Sequence, residues 1–513
     1  MWAVFAGICG VSCALTLRRP EFDRLADLTV YYGAVRWARA GLPLYDYAAD
    51  NGDPFTYPPF AAIVMWPLGG LPLQLIRVLW LAGTCLAVAL IAYVVIRRLG
   101  RANLHAAAAA CVLAVSAPIQ SDLRFGQVSV FVVALTLIDA LDLLPPRWRG
   151  VLIGIAAAIK LTPLLFVVYF LIARRHRDAL RSTASFLAAG ALAAALLPAD
   201  SRQFWTHTIA STSRIGDLAS LGNQSLHALL ARAGVGPEHR LIVWGALVGI
   251  ICGLALWRAR QLSDEGRPVH AAVLVGCATV AASPVSWTHH QVWPVLAGML
   301  LVASGVATKR AAGVFLVAVM TLSLANVIGE SISNPGLQYL FTNARGIGVV
   351  AICCIGFGAV AHGRLQLPTM VRIRRALVTV VAGVALFALL PLPPNYDPGL
   401  RTYSLAEAQR EFSMTQVSCD GGPCDMTFGG RLVVNYSIGG SDEKFVVDGW
   451  VDDRVGKLAV RTAPGAPIHF IPIMTLDGQR IFCFGGTNLY YGQLLIYDTE
   501  GRLIENPPRA LWK

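Results

Sequence analysis

Apolar positions along this chain come in long runs, separated by short polar loops, from the first residue to about residue 394. A helix needs about 20 apolar residues to cross a bilayer. The runs predict spans at roughly 1–17, 75–96, 104–118, 127–144, 182–197, 240–258, 270–284, 291–307, 311–329, 345–361 and 374–393. Two further apolar stretches are interrupted. Residues 58–71 contain Pro67, Gly69 and Gly70, with Pro72 just beyond, and residues 151–173 contain Lys160 and Pro163. Both read as re-entrant or kinked hairpins, which tolerate broken backbone where protein buries it. After residue 395 the pattern changes to alternation, as in RLVVNYSI, KFVVDGWV and QLLIYDTEGRLI, with hairpin-type turns at LDGQ and DTEG. The chain thus reads as a mainly α, polytopic membrane part, 1–394, and a small soluble β-rich part, 395–513.

Composition agrees. The 513 residues are 56% hydrophobic and 14% charged, with mean hydropathy +0.58, whereas soluble domains are about 25% charged. The net charge of +12 is uneven: residues 395–513 hold 11 Lys and Arg against 14 Asp and Glu, leaving +15 on the first 394. A nucleic-acid role would need a basic stripe with interleaved aromatics. Here the Lys and Arg cluster at the ends of apolar runs, so no nucleic-acid partner is expected.

The basic loops are RRLGR (97–101), PPRWRG (145–150), RRHRDALR (174–181), RARQLSDEGR (258–267), KR (309–310) and RLQLPTMVRIRR (364–375), and all fall on one side. The positive-inside rule assigns that side to the cytoplasm. With the N-terminus inside and about eleven full crossings, residues 395–513 are expected outside. The loops at 18–57, 119–126, 198–239, 285–290 and 330–344 are expected there too. Those outer loops carry DLTVYYG, SDLRFGQ, LGNQSLH, SPVSWTHHQ and NPGLQY, whose side chains hydrogen-bond or titrate. The inner loops carry mostly Arg and Lys, with no GxGxxG or P-loop motif. Any enzyme working on the outer face then needs an activated donor already in the membrane.

Leu28, Tyr31, Tyr32, Val35 and Ala38 recur at helical spacing and predict an amphipathic interfacial helix. On that reading alone Asp27 is an N-terminal cap or first-turn acid. Asp122 and Arg124 read as a local ion pair or an interfacial anchor. Lys160 lies between AAAI and LTPLLF; an ionisable group at that depth is functional by default, with snorkelling as the alternative. His289 and His290, being adjacent, point in different directions, and no HExxH or third ligand lies nearby, so no metal site is expected. Hydrogen bonding to a phosphate or sugar suits them better. The amides of Asn223 and Gln224 fit sugar hydroxyls, or else they only order a long loop. Cys419 and Cys424, in CDGGPC, read as a disulfide if the tail is extracytoplasmic; a zinc site lacks ligands there, with only Cys483 and His469 left in the tail.

In order, DLTVYYGA, PLYDY, FTYPPFAA, FGQVS, AIKLTPLLFVVYFLIARR, GNQSL and SPVSWTHHQVW resemble glycosyltransferase family 87, over roughly residues 20–362. The tail from 395 is not part of that pattern. The resemblance implies a GT-C-type fold of about 11–13 membrane helices. It also implies an outward-facing cavity beneath an outer loop, 18–57, that bears the catalytic motif. It gives Asp27 the role of general base in transfer of mannose from a polyprenyl-phosphate donor to a glycolipid or lipoglycan acceptor. One base and a phosphate leaving group suit an inverting displacement. Lys160 and His290, then His289 and Arg124, are the candidates to meet the phosphate charge. Asn223, Gln224, Tyr31 and Tyr57 are candidates for sugar or acceptor. No cofactor beyond the lipid-linked donor is expected, and the setting is the cell membrane. The alternatives are an arabinofuranosyltransferase of the same family, or a lipid or sugar transporter with an extracytoplasmic sensor domain.

Overall fold

A computed structural model describes residues 1–19, 23–49, 53–210, 220–322 and 334–358. Beyond these it describes 401–402, 424–428, 431–441, 444–461, 468–471, 473–476, 479–487, 493–499 and 503–505. The expected span 374–393 and Cys419 lie outside the described residues, as does the side chain of Cys424. The chain divides into two compact units, Met1–Ala49 with Asp53–Pro393, and Asp50–Gly52 with Pro394–Lys513.

The first unit is helical. It opens with α1 (Trp2–Leu17), α2 (Ala26–Arg39) and α3 (Pro59–Met65), the last running into a 3₁₀ turn at Trp66–Gly70. The helices α4 (Leu73–Arg98), α5 (Asn103–Val115), α6 (Ala117–Phe125), α7 (Ser129–Ala140), α8 (Val151–Ile159) and α9 (Leu164–Ile172) follow. Next come α10 (His176–Leu196), α11 (Pro198–Thr206), α12 (Leu226–Arg232), α13 (Pro237–Asp264) and α14 (Pro268–Ala282). The set ends with α15 (Val292–Val302), α16 (Ala307–Thr321), α17 (Pro335–Thr342) and α18 (Ala344–Ile355).

Each expected span within the described residues forms a helix, yet most are shorter than a bilayer requires. Three helices are long and apolar enough to cross, at Leu73–Arg98, His176–Leu196 and Glu238–Asp264. Two bent pairs, α5 with α6 at 64° and α17 with α18 at 75°, raise the number to five among the described residues. Pro118 is the physical cause in the first pair: it has no N–H to bond the Ala114 carbonyl and its ring crowds that carbonyl, so α5 ends and α6 opens after the extended Ser116. The long helices expose large apolar side chains, with Leu86, Leu180 and Ile242 each about 70% exposed (71%, 69% and 73%). Such surface belongs against lipid, and the protein is a multi-pass membrane protein.

Inside the unit, α14 is buried nearly all round, from Val269 to Ala281, as a helix apolar on every face must be. Around it pack α13, α15 and α18. The interrupted stretch 151–173 breaks as its sequence predicts. Helix α8 stops at Ile159, Lys160 is extended (φ −149°, ψ 121°), and α9 restarts after Pro163.

The second unit carries antiparallel strands. Strands β1 (Arg401–Thr402), β2 (Cys424–Phe428), β3 (Arg431–Ser441), β4 (Lys444–Val451) and β5 (Val455–Arg461) are followed by β6 (Ile468–Ile471) and β7 (Met474–Leu476). Strands β8 (Gln479–Thr487), β9 (Gln493–Asp498) and β10 (Leu503–Glu505) complete them. One sheet runs β1-β8-β4-β3-β2 with β7 also on β8, and the other β10-β9-β5-β6. Leu476 pairs with Gln479 across the LDGQ turn.

Candidate functional site

Helix α2 starts under constraint. Leu25, the residue before it, has φ +48° and is fully buried, a left-handed conformation that costs a leucine about 1–2 kcal/mol. Its N–H donates to the Arg124 carbonyl at 2.9 Å, which ties the start of α2 to the end of α6. Gly126 closes α6 at φ +68°, and a Cβ there would lie 2.7 Å from Cβ of Leu28. Only glycine permits so close an approach with that backbone. The residue after it, Gln127, thereby comes to rest against the first turn of α2.

There the Gln127 Nε2 donates to Oδ2 of Asp27. Gln127 Oε1 accepts from the Tyr57 hydroxyl at 2.9 Å, and that hydroxyl accepts from the Tyr31 hydroxyl at 3.0 Å. Tyr31 stands four residues after Asp27, on the same face of α2. The backbone of Tyr57 is held in turn by the Tyr45 hydroxyl, 2.8 Å from its carbonyl oxygen. Helix α2 has no side-chain cap, so Asp27 is a first-turn acid whose carboxylate is engaged with Gln127. Burial raises the Asp27 carboxyl from its ordinary 3.8 to about 7; the Gln127 hydrogen bond opposes the rise, neighbouring Asp53 adds to it, and Lys160 opposes it.

Tyr57 also links Asp27 to the lysine. The Lys160 Nζ lies 5.4 Å from the centre of the Tyr57 ring. It donates to Ser129 Oγ at 3.1 Å and sits 2.8 Å from Nε2 of His290. No carboxylate forms an ion pair with it among the described residues. Asp122, fully buried, still bears on the lysine charge more strongly than Asp27 does. Its Oδ2 accepts from the Val130 N–H at 3.3 Å, next to Ser129.

His289 and His290 diverge, their rings 4.6 Å apart at 78°. His290 turns to Lys160, and its Nδ1 accepts from the Trp287 N–H at 3.2 Å. His289 turns to α6, with Nδ1 3.4 Å from Ser121 Oγ and its ring edge-on to Phe125. Burial and the Lys160 charge hold both imidazoles well below their ordinary 6.5, so both are neutral.

The other candidates are engaged differently. Arg124 meets Asp23 through Nε at 2.9 Å and Nη2 at 2.8 Å, and Asp23 also holds Arg19. Asn223 is fully buried, and its Oδ1 accepts from the N–H groups of Ser225 (3.1 Å) and Ser286 (2.9 Å). Gln224 donates to the carbonyls of Leu221 and Thr342 and accepts from the Gly346 N–H at 3.1 Å. These amides tie the 220–226 loop to 283–291 and to α18. No group of three or more His, Cys, Asp or Glu is arranged to hold a metal ion among the described residues.

Comparison with known proteins places this arrangement. The profile of glycosyltransferase family 87 matches residues 55–284. A Mycolicibacterium smegmatis protein, the polyprenol-phosphate-mannose-dependent alpha-(1-2)-phosphatidylinositol mannoside mannosyltransferase, is 33% identical over 365 residues, covering 65% of this chain and 82% of the relative. The chain belongs to glycosyltransferase family 87.

It is a glycosyltransferase. The Mycobacterium tuberculosis protein of the same description is 32% identical, over 59% of this chain and 74% of its own length. A polyprenol-phosphate-mannose-dependent alpha-(1-2)-phosphatidylinositol pentamannoside mannosyltransferase of M. smegmatis is 33% identical, over 61% and 78% respectively. No solved structure matches. Within this family 87 chain the profile interval takes in Tyr57, Gln127, Ser129 and Lys160, while Asp27, His289 and His290 lie outside it. Gln127 and Ser129 were not singled out by the sequence. Their signal was present in FGQVS, two polar side chains close together at the mouth of an apolar run.

Proposed function

We propose that this glycosyltransferase moves a mannosyl residue from a polyprenyl-phosphate donor to a hydroxyl of a phosphatidylinositol mannoside-type glycolipid, with inversion, on the outer face of the cell membrane. The observation that carries the reading is the Lys160 ammonium. Its contacts are a hydroxyl, an imidazole and an aromatic face, all uncharged. A half-buried cation with no carboxylate in direct contact is costly, and a lipid phosphate supplies that partner. The activities for which the family 87 relatives are named supply the sugar and the lipids.

In this reading Asp27 accepts the acceptor hydroxyl proton as that oxygen attacks C1. The C1–O bond to the phosphate breaks, and the phosphate leaves as an anion toward Lys160 and His290, so no second carboxylate is required as acid. His289, beside His290 but turned to Ser121, and Arg124, paired with Asp23, add to the site without a direct contact to Lys160. Tyr31 and Tyr57 border the sugar, and Asn223 and Gln224 order the loop beside it. Transfer proceeds without a metal. The helical unit is of the GT-C type, with the one-sided basic loops supporting an outward site. The segment 395–513 is a β-rich extracytoplasmic module for acceptor binding or scaffolding, with Cys419 and Cys424 joined.

The test is direct. Purified protein in lipid nanodiscs, given labelled polyprenyl-phosphate mannose and a phosphatidylinositol mannoside, is expected to yield a heavier labelled glycolipid, with or without chelator. Transfer only from polyprenyl-phosphate arabinose selects the arabinofuranosyltransferase. Transport of either lipid across vesicles without transfer overturns the proposal.

A further inference from the structure

We infer that Gln127 is a positioning residue for Asp27, its amide locked with the N–H side toward the carboxylate so that the ionised form of Asp27 is favoured against its burial. The argument is one of hydrogen-bond direction. A hydroxyl has one proton to give. Tyr31 gives its proton to Tyr57, and Tyr57 gives its own to Gln127 Oε1. The amide oxygen is therefore spent on the tyrosine side, and Nε2 is left to face Asp27 Oδ2. Turning the amide over would set its carbonyl oxygen against the carboxylate, two acceptors in contact, unless Asp27 took up a proton. The chain could run the other way only by leaving the buried Tyr31 hydroxyl proton without an acceptor, so it favours the amide orientation that suits the anion. The second carboxylate oxygen is left for substrate.

The surroundings show why such a lock is required. The groups bearing on Asp27 are the carboxylates of Asp53 and Asp122, the Lys160 ammonium and the Tyr31 and Tyr57 hydroxyls. The 3₁₀ turn Leu44–Asp46, packed on α2, carries Asp46; Arg124 of α6 is taken by Asp23; α3 and the turn Trp66–Gly70 bring no titratable side chain. Among all of these, the Gln127 hydrogen bond does most to offset the burial that favours the protonated acid.

The catalytic consequence rests on Asp27 being the base, as proposed above, but the protonation does not. The experiment therefore reads both. Infrared titration of the protein in nanodiscs follows the Asp27 carboxyl band, identified by its loss in Asp27→Asn, alongside kcat/KM against pH. In Gln127→Leu the midpoint is expected to rise by about one pH unit or more. The acid limb of kcat/KM should move with it, and the defect should shrink to within about threefold at high pH, where Asp27 ionises unaided. Tyr57→Phe, which frees the amide to turn and also removes the acceptor of the Tyr31 hydroxyl, is expected to shift the infrared midpoint the same way by less, and that midpoint carries the test if Gln127→Leu does not fold. An unmoved midpoint, or an activity loss equal at every pH, overturns the inference. If Asp27→Asn remains active, the base assignment fails while the infrared midpoint still judges Gln127.

Discussion

The Leu25 N–H and the Arg124 carbonyl, 99 positions apart in the chain, meet at 2.9 Å and fasten the first turn of α2 to the end of α6. The contact is close because Gly126 has no side chain. Its ideal Cβ would lie 2.7 Å from Leu28 Cβ and 3.1 Å from Leu25 Cβ, at φ +68°. Gly126→Ala is therefore expected to destabilise the protein by about 2 kcal/mol or more, from overpacking and left-handed strain together. It should also cut turnover more than about tenfold, because Asp27 rides on the displaced turn. A thermal melt and a turnover measurement check both; a wild-type melt would show that the contact yields at no cost.

Asn223 gives a second prediction. Its buried Oδ1 satisfies two backbone N–H groups, those of Ser225 and Ser286. Asn223→Ala leaves both donors unpaired, at about 1–3 kcal/mol each. The expected result is a lower melting temperature and reduced folded yield, with the donor KM of the folded fraction within about threefold of wild type. A wild-type melt with a raised donor KM would assign the amide to the sugar instead.

The apolar runs make the membrane helices legible, and Pro163 makes the break at Lys160 legible, because both signals are local. The divergence of His289 and His290 follows from adjacency alone. Span length was not legible: hydropathy reports apolarity, whereas the bends of 64° and 75° turn on single residues, Pro118 and Asn343, inside apolar stretches. Nor was the engagement of Asp27 by Gln127, a pair 100 positions apart. A glutamine in a loop looks the same whether it meets water or a carboxylate. Arg124 illustrates the converse, since its sequence neighbour Asp122 is buried elsewhere and its charge is answered by Asp23. The partners of Asn223 are backbone groups, which leave no mark in sequence.

Lys160→Met keeps the length and apolar stem and removes the charge. Because no carboxylate makes a direct ion pair with Lys160 among the described residues, the substitution breaks no salt bridge and the fold is expected to hold, while loss of the positive charge should raise the Asp27 midpoint. Donor binding should weaken by roughly ten- to a hundredfold, the value of a charged hydrogen bond to phosphate. Titration of the protein with polyprenyl-phosphate mannose measures this. Unchanged affinity would leave Lys160 as a snorkelling side chain.

Asp27 carries the last prediction, in which activity and stability run in opposite directions over one pH window. Its carboxyl is raised from 3.8 to about 7, chiefly by burial. Only the ionised form accepts a proton, so kcat/KM is expected to climb with pH through about 7 and then level off. A folded-state value above the unfolded one means that the native protein binds the proton more tightly. The stability this supplies is fully present below 3.8 and is lost as pH rises through about 7. Asp27→Asn removes the titration while keeping the shape. On the plateau above about pH 7 it should lose about 10²–10⁴-fold in turnover if Asp27 is the base, and the gap should narrow as pH falls and the wild-type carboxylate takes up its proton. At about pH 9 it should melt higher than wild type, by a few kcal/mol at most, and at about pH 4 the two should agree. Activity within about threefold of wild type with donor saturating would remove Asp27 from the chemistry. A melting difference independent of pH would show that burial does not govern its carboxyl.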